Sequence, residues 1–356
     1  MRILAVETSA DETAAAVTEG LNVISSVRIT QEIHGQWGGM VPSLAKRDHE
    51  KNIDWVIEKA MDDAQMTMDD IDVVAVTQGP GLGIALGVGI AKAKELAAKY
   101  SKPLIAVNHI EGHALSAMIK TGSFGAPQDD VSFPCAALVI SGGHTQVIEI
   151  KEIGKYKILA ESLDDNIGEA LDKAARMLGL PYPGGAAFEK LALLGNPKKY
   201  PLPLPMAGKE DNRFSYSGLK AAFYRLVKSL DPSQAQDDTI LTQEQKQDLA
   251  ASFQAMVFKH VVRITSKVLS AKREALRIND LLVGGGVAAN MMLRDKLCEM
   301  GSEIGVSVRF PENMMLCTDN AAMIGVVAGF KAERGEYAKS EDIDRMPRWR
   351  VDASYT

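Results

Sequence analysis

Two hydrophobic periods alternate along the chain. Residues 2–7 alternate with the two-residue period of a strand and are rich in β-formers. A polar stretch, Thr8-Ser9-Ala10-Asp11-Glu12-Thr13, separates them from expected strands at Ala14–Glu19 and Val23–Ile29. Gly38-Gly39 then breaks the pattern, and a helical period runs from Pro42 to about Ala64. Proline suits that first turn, where its missing N–H costs little. A strand at Val73–Thr77, a helix at about Ile84–Tyr100, a strand at Leu104–Val107 and a helix from Glu111 follow. The second half repeats the order. Strand Ala136–Ile140, turn Ser141–Thr145, and strands Gln146–Ile150 and Tyr156–Glu161 come first. Helix Asn166–Leu178 follows, then a long helix at about Thr242–Ala271 whose Thr242 and Gln245 have capping-box spacing. Strand Asp280–Val283, helix Ala288–Met300, strand Val306–Phe310 and helix Asn320–Glu333 close the pattern.

Each half therefore reads βββαβαβα, with a polar turn between its first two strands. That order resembles the duplicated, two-lobed α/β fold of the actin, hexokinase and Hsp70 superfamily, in which two hairpins face each other across a nucleotide's phosphates in a central cleft. Two unrelated α/β domains are the alternative. On the duplicated reading, residues 1–120 form the N-terminal lobe, with 320–356 packing back on it. Residues 121–319 form the C-terminal lobe, with an insertion at about 181–238 that is rich in Gly, Pro and Ser.

The 356 residues suit two lobes better than one core. With 46% hydrophobic and 24% charged residues, disordered and collagen-like chains are excluded. The sequence Met1-Arg2-Ile3-Leu4-Ala5-Val6-Glu7 meets an acid too early for a secretory signal, and no apolar run is long enough for a membrane span. Three scattered cysteines, Cys135, Cys298 and Cys317, argue against a disulfide framework and for a reducing, cytoplasmic location. A net charge of −6 weakens any broad nucleic-acid-binding surface but leaves room for a local one. Two stretches are locally basic: Arg345-Met346-Pro347-Arg348-Trp349-Arg350, and the long helix with Lys259, Arg263, Lys267, Lys272 and Arg273. A solvated face is the default for both, and phosphate contact the functional alternative.

Asn108-His109-Ile110-Glu111-Gly112-His113 is the sharpest local signal. At i and i+4 both imidazoles share a helix face and can reach one metal. The peptidase pattern needs His-Glu-x-x-His, which this is not. Ser141-Gly142-Gly143-His144-Thr145 can point N–H groups at an anion, or be a plain hairpin turn. Gly284-Gly285-Gly286-Val287-Ala288-Ala289-Asn290 can pack on a nucleotide's base or sugar, with Asn290 donating, or serve close helix–strand packing. Gly79-Pro80-Gly81-Leu82-Gly83 lacks the Lys-Ser/Thr end of a P-loop and reads as structural. Asp164 and Asp165 read as caps of the helix they precede, whereas Asp172 lies too far in and reads as a ligand contact. For Asp319 a helix N-cap is the expectation, and its spacing does not tie it to the histidines.

Together these motifs resemble one family: the tRNA N6-adenosine threonylcarbamoyltransferases of the bacterial TsaD type. Its stretches run in order through nearly the whole chain. They include Glu7-Thr8-Ser9-Ala10-Asp11-Glu12-Thr13, Gly38–Pro42, Gly79–Leu82, Asn108–His113 and Ser141–Gln146. Gly168–Lys173, Tyr182–Gly185, Phe214–Lys220, Gly285–Asn290 and Cys317–Asn320 continue it. The resemblance implies one divalent metal, iron or zinc, held at His109, His113 and Asp319. It implies a nucleotide site at Val139, Ile140, Ser141, Gly142, Gly143, Asp172, Gly185 and Asn290. It implies transfer of threonylcarbamoyl from threonylcarbamoyl-AMP to the adenosine following the anticodon, in tRNAs reading codons that begin with A, with ATP or ADP as a further ligand. The implied partners are tRNA, a paralogous non-catalytic protein of the same fold and a small ATPase, with no membrane. Asp11 and Glu12 are expected catalytic residues, one of them orienting or deprotonating the amine. The chain departs from the family at Ala10, where Cys is usual, at Ser43, where an acid is common, and at Asp48, where a small residue is common. A metallopeptidase, an inactive binding subunit and a small-molecule kinase of the same superfamily are the competing readings.

Overall fold

The computed structural model describes residues 1–121, 131–230 and 241–353. Residues 231–238 of the expected insertion, 122–130 of the expected C-terminal lobe and 354–356 of the returning segment lie outside them. In the first half, β1 (Arg2–Glu7), β2 (Glu12–Glu19), β3 (Asn22–Thr30), α1 (Pro42–Asp63), β4 (Val73–Gly79), α2 (Gly83–Lys99), β5 (Leu104–Asn108) and α3 (His109–Leu115) follow in turn. The second half has β6 (Cys135–Ile140), β7 (Thr145–Glu152), β8 (Lys155–Glu161), α4 (Ile167–Met177), α5 (Gly185–Ala192), α6 (Ser217–Leu230) and α7 (Gln243–Leu276). It ends in β9 (Asp280–Gly284), α8 (Met291–Ile304), β10 (Ser307–Arg309) and α9 (Ala321–Glu333).

The strands form two five-stranded sheets, ordered β3-β2-β1-β4-β5 and β10-β9-β6-β7-β8. Reversing the second makes the two identical in plan. In each sheet the first strand pairs antiparallel with the second and parallel with the fourth. This is the duplicated actin-, hexokinase- and Hsp70-like α/β fold that the sequence pattern pointed to.

The central strands are apolar on both faces because both faces are covered. From β1, Leu4 and Val6 enter the core shared with α1 and α2, while Ile3 and Ala5 face the core containing α9. From β6, Ala136, Leu138 and Ile140 face the core built with α4 to α8, while Cys135, Ala137 and Val139 join the core containing α9. One apolar core thus takes residues from both sheets, and α3 and α9 lie in it. The two helices are exchanged. α3 follows a strand of the first sheet yet packs on β6 and β9 of the second, and α9 follows the second sheet yet packs on β1 and β2. Small residues allow these approaches. A Cβ on Gly284 of β9 would lie 2.0 Å from the His113 carbonyl of α3, and one on Gly325 of α9 would lie 2.5 Å from Thr18 Oγ1 of β2.

The sequence expectations differ from this in a few places. The helix expected from Glu111 begins two residues earlier, at His109, because Asn108 caps it, accepting from the Ile110 and Glu111 N–H groups at 2.9 and 3.4 Å. The helix expected at Ala288–Met300 opens as a 3-10 turn, Gly286–Ala289, and α8 starts only after Asn290 caps it. The long helix runs past Ala271 to Leu276.

Candidate metal centre

Two loops and one short helix build the site. The Asn108 cap fixes α3, so His109 and His113 point one turn apart from the same face. Both are buried, and their rings meet edge to face with centroids 4.6 Å apart. Asp319 arrives from the loop before α9. Its neighbour Asn320 caps that helix, accepting from the Met323 N–H at 2.9 Å. The expectation of an N-cap at Asp319 is therefore corrected by one residue. Relieved of capping, Asp319 turns its carboxylate to the histidines: Oδ1 lies 3.0 Å from His113 Nε2 and 3.5 Å from His109 Nε2. Donor atoms of the three residues lie within 4.8 Å of one another.

A second set of groups orients this one. Glu7, fully buried at the end of β1, faces His109 Nδ1 at 3.1 Å. Its carboxylate also accepts from Thr77 Oγ1 at 2.5 Å and from the Ser9 N–H. A carboxylate on Nδ1 fixes the proton there and leaves Nε2 with its lone pair, as metal-ligating histidines require. The charges agree. Burial works against a charged Glu7, yet the His109 imidazole holds it below the usual carboxylate range. Burial works against a charged His109, yet Asp319 and Glu7 hold it well above the usual histidine range. Burial keeps His113 low, and Asp319 stays well below its usual value against its own burial because both histidines face it. Two imidazole nitrogens and one carboxylate, in a buried cluster with a fixed tautomer, fit a divalent ion that prefers mixed N/O ligands.

Glu111, the acid between the histidines, turns elsewhere. Its Oε1 accepts from the Tyr156 hydroxyl at 2.7 Å. Burial, opposed by Lys331, raises its pKa. It is thus part of the packing between the lobes rather than a base at the metal.

Both hairpins come near the histidine–aspartate cluster, since Glu12 on one and His144 on the other each feel the charge of Asp319. Asp11 ends the β1–β2 turn and Glu12 opens β2, both half-buried. His49 of α1 braces that turn: its Nδ1 lies 2.8 Å from Thr13 Oγ1, and its Nε2 is 3.0 Å from the Ala10 carbonyl. Position 10 contributes a carbonyl to this brace, which alanine supplies. Burial and the charges of Asp319 and Asp11 raise Glu12 well above the carboxylate range. Across the cleft, burial together with Asp11 and Asp172 pushes the Tyr182 phenol up to about 12. Of the other departures, Ser43 is exposed, and Asp48 accepts from Asn52 Nδ2 at 2.9 Å along α1.

Opposite lies the β6–β7 turn. Gly142 and Gly143 are exposed, and a Cβ on either would meet open space. Ser141 closes the turn, its N–H on the His144 carbonyl at 2.8 Å and its Oγ accepting from the His144 N–H at 3.1 Å. His144 itself is pulled down to about 3 by burial and by the charges of His109 and His113, which marks it as their neighbour. Val139 and Ile140 are buried strand residues, so only their backbone can serve a ligand.

The remaining expected nucleotide residues are placed less freely. Asp172 Oδ1 accepts from the Gly184 N–H at 2.9 Å and so fastens the Tyr182–Gly185 turn at the start of α5. Asn290 accepts from the Leu293 N–H at 3.1 Å as the cap of α8, and its amide faces Gln254 Oε1 at 3.4 Å. Asp164 does cap a helix, but a different one: it takes the Ser215 hydroxyl and the Tyr216 and Ser217 N–H groups at the start of α6. Asp165 pairs with Lys173 at 2.6 Å and with Lys220. Sequence reasoning missed Glu7 as the orienting group and Arg28, which bonds to Thr318 and to the Asp319 carbonyl. A charge ending the apolar run of β1 was the available signal for Glu7.

Comparison with known proteins follows from this geometry. The family described as TsaD, tRNA N6-adenosine threonylcarbamoyltransferase, matches residues 22–326. The tRNA N6-adenosine threonylcarbamoyltransferase of Bartonella henselae is 42% identical over 366 residues, covering 99% of this chain and 96% of its own length. That of Geobacter sp. is 42% identical over 354 residues, covering 99% and 97%. Among solved structures, component A of the (R)-2-hydroxyglutaryl-CoA dehydratase of Acidaminococcus fermentans superposes with a TM-score of 0.51 at 16% identity, over 94% of this chain and 99% of that one.

Proposed function

Because the chain belongs to the TsaD family of tRNA N6-adenosine threonylcarbamoyltransferases, we infer that its metal centre and facing hairpins divide the work of that reaction between them. The protein is a transferase that forms N6-threonylcarbamoyladenosine in tRNA. The donor we propose is threonylcarbamoyl-AMP, and the acceptor is the adenosine following the anticodon in tRNAs that read codons beginning with A. The observation that carries the division of labour is the convergence of His109, His113 and Asp319 beside the hairpin that bears Asp11 and Glu12.

In the reaction the adenine N6 attacks the carbamoyl carbon. A C–N bond forms, the C–O bond to the phosphate of AMP breaks, and one amine proton must leave. An aromatic amine is a weak nucleophile, so both ends need help. One of Asp11 and Glu12 orients the amine or takes its proton. The Gly142 and Gly143 N–H groups receive the phosphate of the leaving AMP. Val139 and Ile140 lend backbone, while Ser141, Asp172, Gly185 and Asn290 shape the nucleotide's seat. His109, His113 and Asp319 hold one iron or zinc ion, and Glu7 keeps His109 in the ligating tautomer. The ion, when bound, supplies Lewis-acid polarisation of an acyl oxygen. We take residues 1–120 with 320–356 as one lobe and 121–319, with its insertion, as the other. A paralogous non-catalytic protein of the same fold and a small ATPase are the proposed protein partners, and ATP or ADP a further ligand. No helix among the described residues is long and apolar enough to cross a membrane, and a cytoplasmic location is the proposal.

A reconstituted assay tests this. Threonylcarbamoyl-AMP, unmodified tRNA and the partner proteins are supplied, and the tRNA is digested to nucleosides. Absence of the threonylcarbamoyl product refutes the function. Unchanged transfer rates in both Asp11→Ala and Glu12→Ala refute the role of the hairpin acids.

A further inference from the structure

Acting on tRNA requires cations that neutralise phosphate, yet the chain carries a net charge of −6. Several of its basic groups are already committed. Lys173 and Lys220, which border an open cavity of about 640 Å³ between α4 and α6, are both held by Asp165. Arg263 of α7 donates to the Pro205 carbonyl at 2.9 Å. Arg28 is bound to the loop carrying Asp319.

The segment after α9 is different. Residues 344–349 are strapped across the end of β4 by backbone bonds. The Met346 N–H donates to the Gln78 carbonyl at 2.8 Å, the Gly81 N–H to the Pro347 carbonyl at 3.2 Å, and Gln78 Nε2 to the Asp344 carbonyl at 2.7 Å. The strap also reaches the metal helix, since Asn108, the cap of α3, donates to the Trp349 carbonyl at 3.4 Å. Trp349 is buried. Arg345 and Arg348, by contrast, are exposed, and among the described residues neither guanidinium has a hydrogen bond or ion pair. Beside the strap lies a cavity of about 190 Å³, lined by Pro80, Ile110, His144, Gln146, Arg348 and Trp349 among others. Ile110 follows His109 in α3, so the cavity touches the helix that carries both histidines.

We propose that this strap is the RNA-contact element of the site: Arg345 and Arg348 grip backbone phosphates of the tRNA loop, and the acceptor base enters the cavity beside His144. The proposal rests on the tRNA-modifying reading above. The chemistry suits it. Guanidinium groups take phosphates bidentately, a backbone-pinned segment places them with little ordering cost, and a modifying enzyme must receive its target base out of the stack. The base would then lie against α3, the helix that carries His109 and His113.

Binding of unmodified tRNA by the purified protein with its partners, followed by fluorescence anisotropy from 50 to 300 mM salt, tests the proposal without needing turnover. At about 0.7 in log–log slope per single-stranded phosphate contact, the double variant Arg345→Ala/Arg348→Ala should lose about 1.4 of the salt slope. Its KM for tRNA should rise several-fold, while bound metal stays at the wild-type level. Arg348→Lys in the Arg345 background should restore most of the slope, because a phosphate accepts an ammonium. An unchanged slope in the double variant overturns the proposal. So does loss of partner association with the slope retained, which would make the strap a protein-docking element. A wild type that binds tRNA but yields no threonylcarbamoyladenosine counts against the functional reading instead, whatever the slopes.

Discussion

Glu7→Gln isolates one element of the metal centre, the orientation of a ligand. The exchange keeps shape and volume, so the core around β1 is not disturbed. It removes a charge and leaves one acceptor oxygen where there were two. The three donors around Glu7 decide which way the new amide turns. Oε1 faces the Ser9 N–H, a backbone donor that cannot reverse its role. Oε2 faces the Thr77 hydroxyl at 2.5 Å and His109 Nδ1 at 3.1 Å. A hydroxyl can turn from donor to acceptor and an imidazole can change tautomer. The amide nitrogen therefore settles at the Oε2 position and donates to Nδ1. The His109 proton moves to Nε2, the atom that should bind the ion. Metal binding must then first restore the other tautomer against an amide donor. Loss of such an orienting partner costs about 10- to 100-fold in metal affinity, or ~1.4–2.7 kcal/mol. Competition against a chromophoric chelator, with zinc and with cobalt, measures the constant directly, and circular dichroism checks the fold. A Glu7→Gln protein that binds within two-fold of wild type would refute the tautomer argument, even if catalysis were lost.

Three further outcomes are expected. Asn320→Ala removes the cap of α9 and the side-chain bond to the Thr318 carbonyl at 2.7 Å, so urea unfolding should show a loss of about 1 kcal/mol together with weaker metal binding; equal metal affinity would mean that the loop does not depend on its cap. Tyr156→Phe strips the hydroxyl from buried Glu111 and should destabilise the protein by ~1–3 kcal/mol by chemical denaturation, since the acceptor is left unpaired. His260 is buried, accepts from the Ser215 N–H at 3.2 Å, and is held down to about 4 by burial and by Arg263. Unfolded, it titrates near 6.5. The unfolded chain therefore binds the extra proton first. The stabilisation is complete above about pH 6.5 and is lost as pH falls toward 4, on the order of 3 kcal/mol. A pH series of denaturation midpoints in His260→Gln should be flatter than wild type across that window, and an identical slope would exclude His260 as its source.

The fold was legible because its signals are local. Strands β1 and β6 are apolar runs closed by polar turns, and Thr242 and Gln245 announce α7 with a capping box that the structure forms. Boundaries slipped where a cap was not recognised, as at Asn108 and Asn290. The metal pair was legible for the same local reason, His109 and His113 being one helical turn apart. Asp319 was not, because a contact across 206 residues leaves no trace in spacing, and only the family resemblance brought it forward. Asp164 shows the converse: the acid was correctly seen as a cap, but its helix lies 53 residues on to Ser217 rather than next in the chain. The exchange of α3 and α9 between sheets was likewise invisible to an element string, which records order and not the face on which a helix lands.

That exchange has a consequence for the physical integrity of the protein. His113 and Asp319 stand 206 residues apart, one in the helix that packs on the second sheet and the other in the loop that leads into the helix packed on the first. An ion held by both would be a removable link between the two ends of that stretch, one that chelators could withdraw. Such a site exists only in the folded chain, so whatever free energy an ion gains there is added to folding. Metal supply would then govern how firmly the lobes stay buckled together as well as the chemistry between them, and a starved cell would hold a looser enzyme, not merely an idle one.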